Sequence, residues 1–366
     1  MKILSVIGAR PQFIKASAFS HSLSQDSFFQ EVIIHTGQHY DSNMSEIFFK
    51  TLFSHLPLPK YQLKHGGKPE ALMLSLMIES ITEIITIEKP DFLLVYGDTT
   101  STLAGALSGV KMKIPIIHIE AGLRSYDLQM PEEQNRVLTD QISTYLFCPT
   151  QNAFNHLVSE GFTQDNRRHH YVIENVGDIM LETKNLFLPY AKAPENINFD
   201  FDSPFILASC HRQENLNHQE RFQEILSTLE LISQKIPILF LIHPRNAPLL
   251  KNFHSKTITL LPPQGYLSML FLLKKSQMII TDSGGLQKEA YFFQKSAIVL
   301  RQTTEWQELI DLKIHHLCGH KKERILNAFD IIHSNKTDFI PHIYGRGDTS
   351  SKIINTLKQR RPYAPF

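Results

Sequence analysis

The 366-residue chain has little of several features that mark particular protein classes. It has only three cysteines, Cys148, Cys210 and Cys318, and no C-x-x-C pair, so neither a disulfide framework nor a zinc knuckle is expected. Its 37 basic and 36 acidic residues leave a formal charge of +1, which argues against nucleic acid as a partner. No apolar run reaches the length of a membrane span or of a signal peptide's hydrophobic region. These absences predict a soluble cytoplasmic protein.

The composition is that of a globular protein, with 42% hydrophobic and 20% charged residues. Short apolar runs alternate with helix-length amphipathic segments, a pattern typical of parallel sheets with crossover helices and therefore of an α/β fold. The predicted strands are residues 3–7, 32–36, 92–96, 116–119, 145–148, 171–176, 205–209, 238–242, 257–261, 278–281 and 297–300. The predicted helices include residues 71–88, 101–111, 132–143, 219–234 and 286–293.

The length and the number of strands favour two domains over one. The polar run at residues 164–170 is typical of a surface connection, so we place an N-terminal domain at 1–170 and a C-terminal domain at 171–366. One continuous sheet is the alternative.

Polar motifs follow seven of the predicted strands. They are residues 8–12, 35–39, 97–99, 120–124, 210–215, 243–245 and 282–285. In open α/β sheets ligands bind beyond the carboxyl ends of the strands, and two such sheets facing each other would form a cleft there. The pattern therefore predicts a ligand site.

Ser283-Gly284-Gly285 stands between a buried strand and a helix expected to begin near Leu286. Backbone amides and the helix N-terminus make it a candidate phosphate cradle, although a tight turn explains three such residues equally well. The sequence has neither a Walker motif nor a G-x-G-x-x-G after a strand, so no nicotinamide or flavin cofactor is indicated.

Basic side chains accompany these motifs. Arg10 and Lys15 lie near the start of the first helix, where the helix dipole disfavours cations unless an anion binds. His211, Arg212 and Arg245 supply further basic groups in the second half. This placement predicts a diphosphate ligand.

Carboxylates form the second candidate group. Asp98 and Glu120 each follow an apolar strand, where a carboxylate has little structural purpose, so acid/base chemistry is favoured for both. Glu132 and Glu133 begin a helix, where acids commonly interact with the helix dipole; that structural role is preferred for Glu133, and Glu132 is undecided. A metal site is disfavoured because no H-E-x-x-H or similar ligand spacing occurs.

Together these motifs resemble the non-hydrolysing UDP-N-acetylglucosamine 2-epimerase family. The matching stretches are residues 8–15, 35–39, 97–99, 118–124, 130–136, 211–215, 243–245 and 281–290. The resemblance implies two Rossmann-like domains facing across a cleft, as in GT-B glycosyltransferases, with UDP bound by the C-terminal domain. It also implies a last helix, within 350–358, that crosses back to the N-terminal domain.

The resemblance implies C2 epimerisation of a UDP-2-acetamido sugar, by elimination of UDP to a 2-acetamidoglucal and re-addition. It implies Asp98, Glu120 and Glu132 as acid/base residues and His211 as the group that assists departure of the diphosphate. The substrate-binding residues that it implies are Arg10, Lys15, Gln264, Ser283, Gly284, Gly285 and Glu289, with Gln264 beside the uracil and Glu289 on the ribose. It implies no metal and no cofactor, and a homodimer.

Several positions depart from the best-known branch of this family. Trp306 stands where that branch has an arginine, Met269 replaces an aromatic residue of the uracil pocket, and Tyr40-Asp41 follows His39 where branches activated by a second UDP-sugar carry arginine. Three stretches, residues 8–15, 287–293 and 304–306, resemble the branch that acts on UDP-2,3-diacetamido-2,3-dideoxyglucuronate in O-antigen synthesis. A glycosyltransferase of the same architecture and a non-catalytic UDP-sugar-binding protein are the alternatives of other classes.

Overall fold

The computed structural model describes residues 1–38, 58–163, 171–251, 253–335 and 337–359. The chain forms two compact units, one of Met1–Phe187 with His342–Phe366 and one of Leu188–Pro341. None of the helices in these described ranges is both long and apolar enough to cross a membrane.

The first unit is built on a seven-stranded parallel sheet with the order β3-β2-β1-β4-β5-β6-β7. Its strands are β1 Lys2–Ile7, β2 Gln30–His35, β3 Tyr61–Gln62, β4 Phe92–Tyr96, β5 Ile116–Ile119, β6 Tyr145–Cys148 and β7 Val172–Asn175. Its helices up to residue 187 are α1 Arg10–Ser24, α2 Glu70–Glu88, α3 Thr100–Lys111, α4 Pro131–Ile142, α5 Gln151–Ser159 and α6 Ile179–Phe187. Every residue of β4, β5 and β6 is buried, as expected for strands of a parallel sheet covered on both faces.

The second unit has a six-stranded parallel sheet with the order β10-β9-β8-β11-β12-β13. Its strands are β8 Ile206–Ser209, β9 Ile238–Leu241, β10 Ile258–Leu261, β11 Met278–Thr281, β12 Ala297–Val299 and β13 His315–Leu317. Its helices are α7 Gln213–Leu216, α8 Gln219–Ser233, α9 Tyr266–Lys275, α10 Gly284–Phe292, α11 Gln307–Asp311 and α12 Lys322–Ser334. Helix α13, Thr349–Gln359, belongs to the first unit and contacts α1 and α6.

Both sheets have the Rossmann strand order, in which the chain reverses direction across the sheet at one point. That point lies between β1 and β4 in the first unit and between β8 and β11 in the second. The α/β fold with two parallel sheets predicted from the sequence is therefore confirmed, and the single continuous sheet is excluded for the described residues.

Three details of the prediction need correction. The boundary at residue 170 is too early, because β7 pairs in parallel with β6 (Tyr145 opposite Val172) and so belongs to the first sheet. The prediction missed β3 and β13, two short strands at sheet edges. Helix α10 begins at Gly284 instead of Leu286. The connection predicted at residues 164–170 lies outside the described residues.

Candidate functional site

In the first unit, the residues that follow β1, β4 and β5 meet where the strand order reverses. Gly97, directly after β4, has a φ of 63°, in the left-handed region that favours glycine. A Cβ at Gly97 would lie 3.1 Å from both Glu120 Oε2 and Lys15 Nζ. The glycine therefore leaves room for these two side chains directly above the end of β4.

Lys15 of α1 and Glu120, which follows β5, form an ion pair. Both side chains are largely buried, with 11% and 8% of their surfaces exposed. Glu120 has a φ of 76°, unusual for a residue with a side chain, and the N–H groups of Glu120 and Ala121 both donate to the carbonyl of Phe147 in β6. The turn after β5 thus holds the Glu120 carboxylate on the Lys15 ammonium.

Asp98 has its own cationic partner. Its carboxylate accepts a 2.5 Å hydrogen bond from Arg136 Nη2, and its carbonyl accepts one of 3.0 Å from Asn135 Nδ2. Both partners lie on α4. The Asp98 side chain remains 30% exposed while that of Arg136 is buried, so the carboxylate is fixed on one side and accessible on the other.

The two neighbouring glutamates of α4 differ in their surroundings. Glu133 is buried and accepts hydrogen bonds of 2.9 Å from the N–H groups of Ser125 and Tyr126 and from Arg136 Nη1. Glu133 therefore organises the loop before α4, which agrees with its expected structural role. Glu132, one position earlier, is exposed in the first turn of the helix.

Beneath these residues lies a buried network that the sequence analysis did not identify. His118 of β5 contacts Asp140 of α4 and the carbonyl of Gly97, each at 2.7 Å. Asp140 also accepts hydrogen bonds from Arg124 Nη1 at 2.7 Å and from the Gly122 N–H at 3.1 Å. The network joins the turn after β4 to the turn after β5, which carry Asp98 and Glu120.

In the second unit, Asp282 after β11 organises the loop after β8. Its buried carboxylate accepts hydrogen bonds from the backbone N–H groups of His211 and Arg212 and from Asn215 Nδ2, all between 2.9 and 3.0 Å. The His211 ring stacks on that of His243 with 4.7 Å between ring centroids. Burial lowers the pKa of His211, so the neutral ring is favoured at pH 7.

The three residues of the predicted phosphate cradle occupy the N-terminus of α10. Ser283 is the N-cap, and its side chain accepts a hydrogen bond from the Leu286 N–H. A Cβ at Gly284 would collide with the carboxylate of Glu305, whereas one at Gly285 would meet no atom within 4 Å. A side chain at position 284 would therefore displace Glu305, whereas position 285 has open space beside it.

Trp306 is integrated into the same helix end. It is buried, its Nε1 donates a 2.8 Å hydrogen bond to the Gly284 carbonyl, and Lys288 Nζ lies 4.7 Å from the centroid of its ring. The preceding Glu305 pairs with the buried Arg301 at 2.7 Å. Trp306 therefore helps to shape the N-terminus of α10 through an indole hydrogen bond.

The remaining candidates lie on the same two units. Arg10 is the first residue of α1 and is partly buried. Gln264 lies between β10 and α9, where its Nε2 donates to the Pro262 carbonyl at 2.8 Å, and Glu289 is partly buried on α10. Within the described part of the chain, no three His, Cys, Asp or Glu side chains converge as a metal site. His39-Tyr40-Asp41 lies outside that part.

Comparison with known proteins gives one consistent result. The family model described as UDP-N-acetylglucosamine 2-epimerase matches residues 21–358. The chain is 43% identical to the UDP-2,3-diacetamido-2,3-dideoxy-D-glucuronate 2-epimerase of Pseudomonas aeruginosa, over 98% of this chain and 99% of that protein. It resembles the crystal structure of Methanocaldococcus jannaschii UDP-GlcNAc 2-epimerase in complex with UDP-GlcNAc and UDP, with a TM-score of 0.88, 37% identity and coverage of 98% and 100%. A Neisseria meningitidis enzyme bound to UDP-GlcNAc gives a TM-score of 0.87 at 30% identity, with coverage of 98% and 100%.

Proposed function

Because the chain belongs to the UDP-N-acetylglucosamine 2-epimerase family, we propose that it inverts C2 of a UDP-linked 2-acetamido sugar. The observation that carries the proposal is the pair of carboxylates at the strand-order reversal of the first unit. Asp98 and Glu120 are each held by a cation there, in a chain that matches this family along most of its length.

The C2 hydrogen of the sugar is not next to a carbonyl carbon, so deprotonation alone would be too costly. Removal of that proton while the C1–O bond breaks avoids a free carbanion. The C2–H electron pair becomes the C1–C2 double bond, and UDP leaves with the electrons of the C1–O bond. Re-addition of UDP at C1 and of a proton at the opposite face of C2 gives the epimer.

Asp98, Glu120 and Glu132 are the proposed acid and base groups for C2. A carboxylate positioned within reach of the proton can act as a general acid or base. Arg136 holds the Asp98 carboxylate and Lys15 holds that of Glu120, so both groups are fixed in place. Glu132 is proposed from the family resemblance and its exposed position in the first turn of α4.

Negative charge develops on the diphosphate as the C1–O bond breaks. Hydrogen-bond donors that stabilise this charge favour departure of UDP. His211 and the N-terminus of α10 are proposed to hold the diphosphate, and Arg10 and Lys15 on α1 are proposed to contact the phosphates or the sugar. Ser283, Gly284 and Gly285 present that N-terminus, whose dipole favours an anion. Gln264 and Glu289 are proposed for the uracil and the ribose.

The identity of the sugar is the finer question. The relative from P. aeruginosa is named for UDP-2,3-diacetamido-2,3-dideoxyglucuronate. Its 43% identity makes this sugar the alternative substrate to UDP-N-acetylglucosamine. Relatives named for UDP-N-acetylglucosamine are 40%, 38% and 33% identical in Methanococcus maripaludis, M. jannaschii and Escherichia coli K12, the first of them named as a homolog.

The test is NMR of the purified protein with each of the two UDP-sugars in heavy water. Epimerisation replaces the C2 hydrogen with deuterium and produces the second epimer. Retention of hydrogen at C2 in both sugars would overturn the proposal. If the protein is instead a non-catalytic UDP-sugar-binding protein, UDP-sugar would raise its melting temperature without any turnover; if it is a glycosyltransferase, UDP release would depend on an acceptor.

We also infer that the protein is a cytoplasmic homodimer. The dimer follows from the family resemblance, and three buried cysteines without disulfides suit a reducing compartment. Sedimentation equilibrium at micromolar concentration tests the dimer, and a mass equal to that of one chain would reject it.

A further inference from the structure

The buried network around His118 constrains which nitrogens of its ring carry hydrogen. His118 is completely buried, and its two ring nitrogens have different neighbours. Nδ1 lies 2.7 Å from Asp140 Oδ1, and Nε2 lies 2.7 Å from the carbonyl oxygen of Gly97. Both distances are short for hydrogen bonds that involve nitrogen.

Neither neighbour has a proton to give. A backbone carbonyl only accepts, so Nε2 must carry a hydrogen. The Asp140 carboxylate accepts from Arg124 Nη1 and from the Gly122 N–H on its other oxygen, an arrangement that favours its ionised form. The pKa of Asp140 is lowered despite burial, and the charge of the neighbouring Arg124 guanidinium is one cause. Nδ1 must therefore carry a hydrogen as well.

We propose that His118 is a positioning residue, an imidazolium at pH 7 that fixes the Gly97 carbonyl and thereby the reacting carboxylates. Gly97 directly precedes Asp98, and the Lys15–Glu120 pair lies within 3.1 Å of the position of a Cβ at Gly97. A shift of this carbonyl would displace both acid/base groups together. The catalytic part of the inference rests on the proposed function, while the protonation of His118 does not.

The charges around His118 are consistent with a buried cation. Asp140 is its direct counter-ion, and Arg124 is neutralised by two 2.7 Å hydrogen bonds to Glu160. The His156 ring also contacts the Gly122 carbonyl at 3.0 Å, which holds the turn that supplies the Gly122 N–H. Because the charge of His118 is paired, it avoids the large cost of an isolated buried cation.

Histidine-selective ¹⁵N NMR of the full-length protein tests the protonation directly. Both nitrogens of His118 are expected to carry protons at pH 7. The matched internal control is the buried His315, whose Nδ1 accepts from the Ala297 N–H while its Nε2 contacts the Gln287 carbonyl, so its ring must be neutral. A His118 with one protonated nitrogen, like His315, would overturn the proposal whatever the activity of the protein.

Two isosteric variants separate the two contacts. His118→Gln places an amide N–H where Nε2 was and keeps the contact with Gly97, whereas His118→Asn keeps only the contact with Asp140. We expect the Asn variant to lose roughly 10²-fold in the rate of C2 exchange, the typical effect of a displacement of about 1 Å, with UDP affinity changed less than about twofold. The Gln variant should exchange the C2 hydrogen at least about tenfold faster than the Asn variant. Equal rates in the two variants would contradict the positioning role.

Discussion

At the scale of single residues, the two central carboxylates share one arrangement. Asp98 and Glu120 each follow a strand of the first sheet, and each is held by a cation from a helix, Arg136 and Lys15 respectively. Neither pair is needed to fill the core, because both lie beyond the buried strands. The arrangement fits groups kept ready to exchange a proton with a ligand.

We therefore predict that Asp98→Asn and Glu120→Gln each reduce C2 exchange by ~10²–10⁴-fold, the usual contribution of a general acid or base. UDP affinity measured by calorimetry should be nearly unchanged in Asp98→Asn, because the amide keeps the shape of the side chain. Asp202→Asn, an exposed carboxylate of the second unit, is the control and should behave like the wild type. Full exchange activity in both variants would contradict the assignment.

The neighbouring Glu132 and Glu133 provide a second contrast. Glu133→Gln weakens four hydrogen bonds to a buried carboxylate, so the free energy of unfolding should fall by about 1–3 kcal/mol. Glu132→Gln should leave stability within about 0.5 kcal/mol, because the side chain is exposed, and should reduce C2 exchange. Urea denaturation and deuterium exchange measure the two effects. A stability loss in the Glu132 variant equal to that in the Glu133 variant would contradict this division.

Single residues at strand ends could be found from the sequence because the order of an α/β chain places such ends at one edge of the sheet. Their contacts could not. Lys15 is expected to bind substrate, and Arg136 and His118 lie in stretches that match the family, but nothing in the sequence indicates which side chains they contact. Only the packing of α4 against β5 shows that Arg136 contacts Asp98 and that His118 contacts Gly97.

At the scale of elements, the N-terminus of α10 is the most informative feature of the second unit. Ser283 caps the helix, Trp306 and Glu305 pack against Gly284, and Gly285 faces open space. The sequence predicted the helix and its glycines, but placed its start two residues late. Glycine has a low helix propensity, so the sequence alone favoured a loop at Gly284 and Gly285.

Substitution of the two glycines separates packing from ligand binding. Gly285→Ala should leave stability unchanged or raise it by up to about 1 kcal/mol, since alanine is the better helix former, while weakening UDP binding through loss of space for the phosphates. Gly284→Ala should destabilise the free protein, because Glu305 must move. Thermal melts with and without UDP measure both. Unchanged UDP affinity in the Gly285 variant would exclude this helix end as the phosphate site.

Strands were predicted best where burial is complete. The bounds of β4, β5, β6 and β11 match the prediction, since each is a continuous apolar or nearly apolar run. The two strands that were missed are β3, with two residues, and β13, with the sequence His-His-Leu. Both pair with one neighbour only and carry too little apolar sequence to be distinguished from loops.

At the scale of the whole molecule, the sequence predicted two α/β units but not the path between them. The first unit takes its last strand, β7, and its last helix, α13, from either side of the second unit in the sequence. A boundary set by local polarity cannot detect this arrangement. The polar connection lies between β6 and β7 in the sequence, yet the two strands pair in the same sheet.

Three histidines with lowered pKa values predict how stability depends on pH. Burial lowers the pKa of His35 from 6.5 to about 4 and also lowers those of His211 and His315. As the pH falls, the unfolded chain therefore binds protons at these histidines before the folded protein does. Their contribution to stability is complete above pH 6.5 and is lost as the pH falls toward 4. The carboxyls of Glu31 and Glu182, whose pKa values burial raises, act in the opposite direction but are fewer.

We predict that the free energy of unfolding, measured with urea at pH 7, 6 and 5, decreases with each step. His35→Gln should flatten this dependence, because the variant has one group fewer that is held neutral by burial. A wild-type stability that is constant or rises toward pH 5 would show that these histidines remain solvated in the folded protein.

The most direct test of the central claim, reversible cleavage of the C1–O bond, is positional isotope exchange. The UDP-sugar is labelled with ¹⁸O in the oxygen that joins C1 to the β-phosphate, and ³¹P NMR follows the label. If UDP is eliminated and added back, its β-phosphate oxygens become equivalent, and the label appears in non-bridging positions at a rate comparable with epimerisation. If the epimer forms while all of the label stays in the bridge and neither UDP nor the 2-acetamidoglucal appears in the quenched reaction, C1–O cleavage does not occur and the elimination route is wrong.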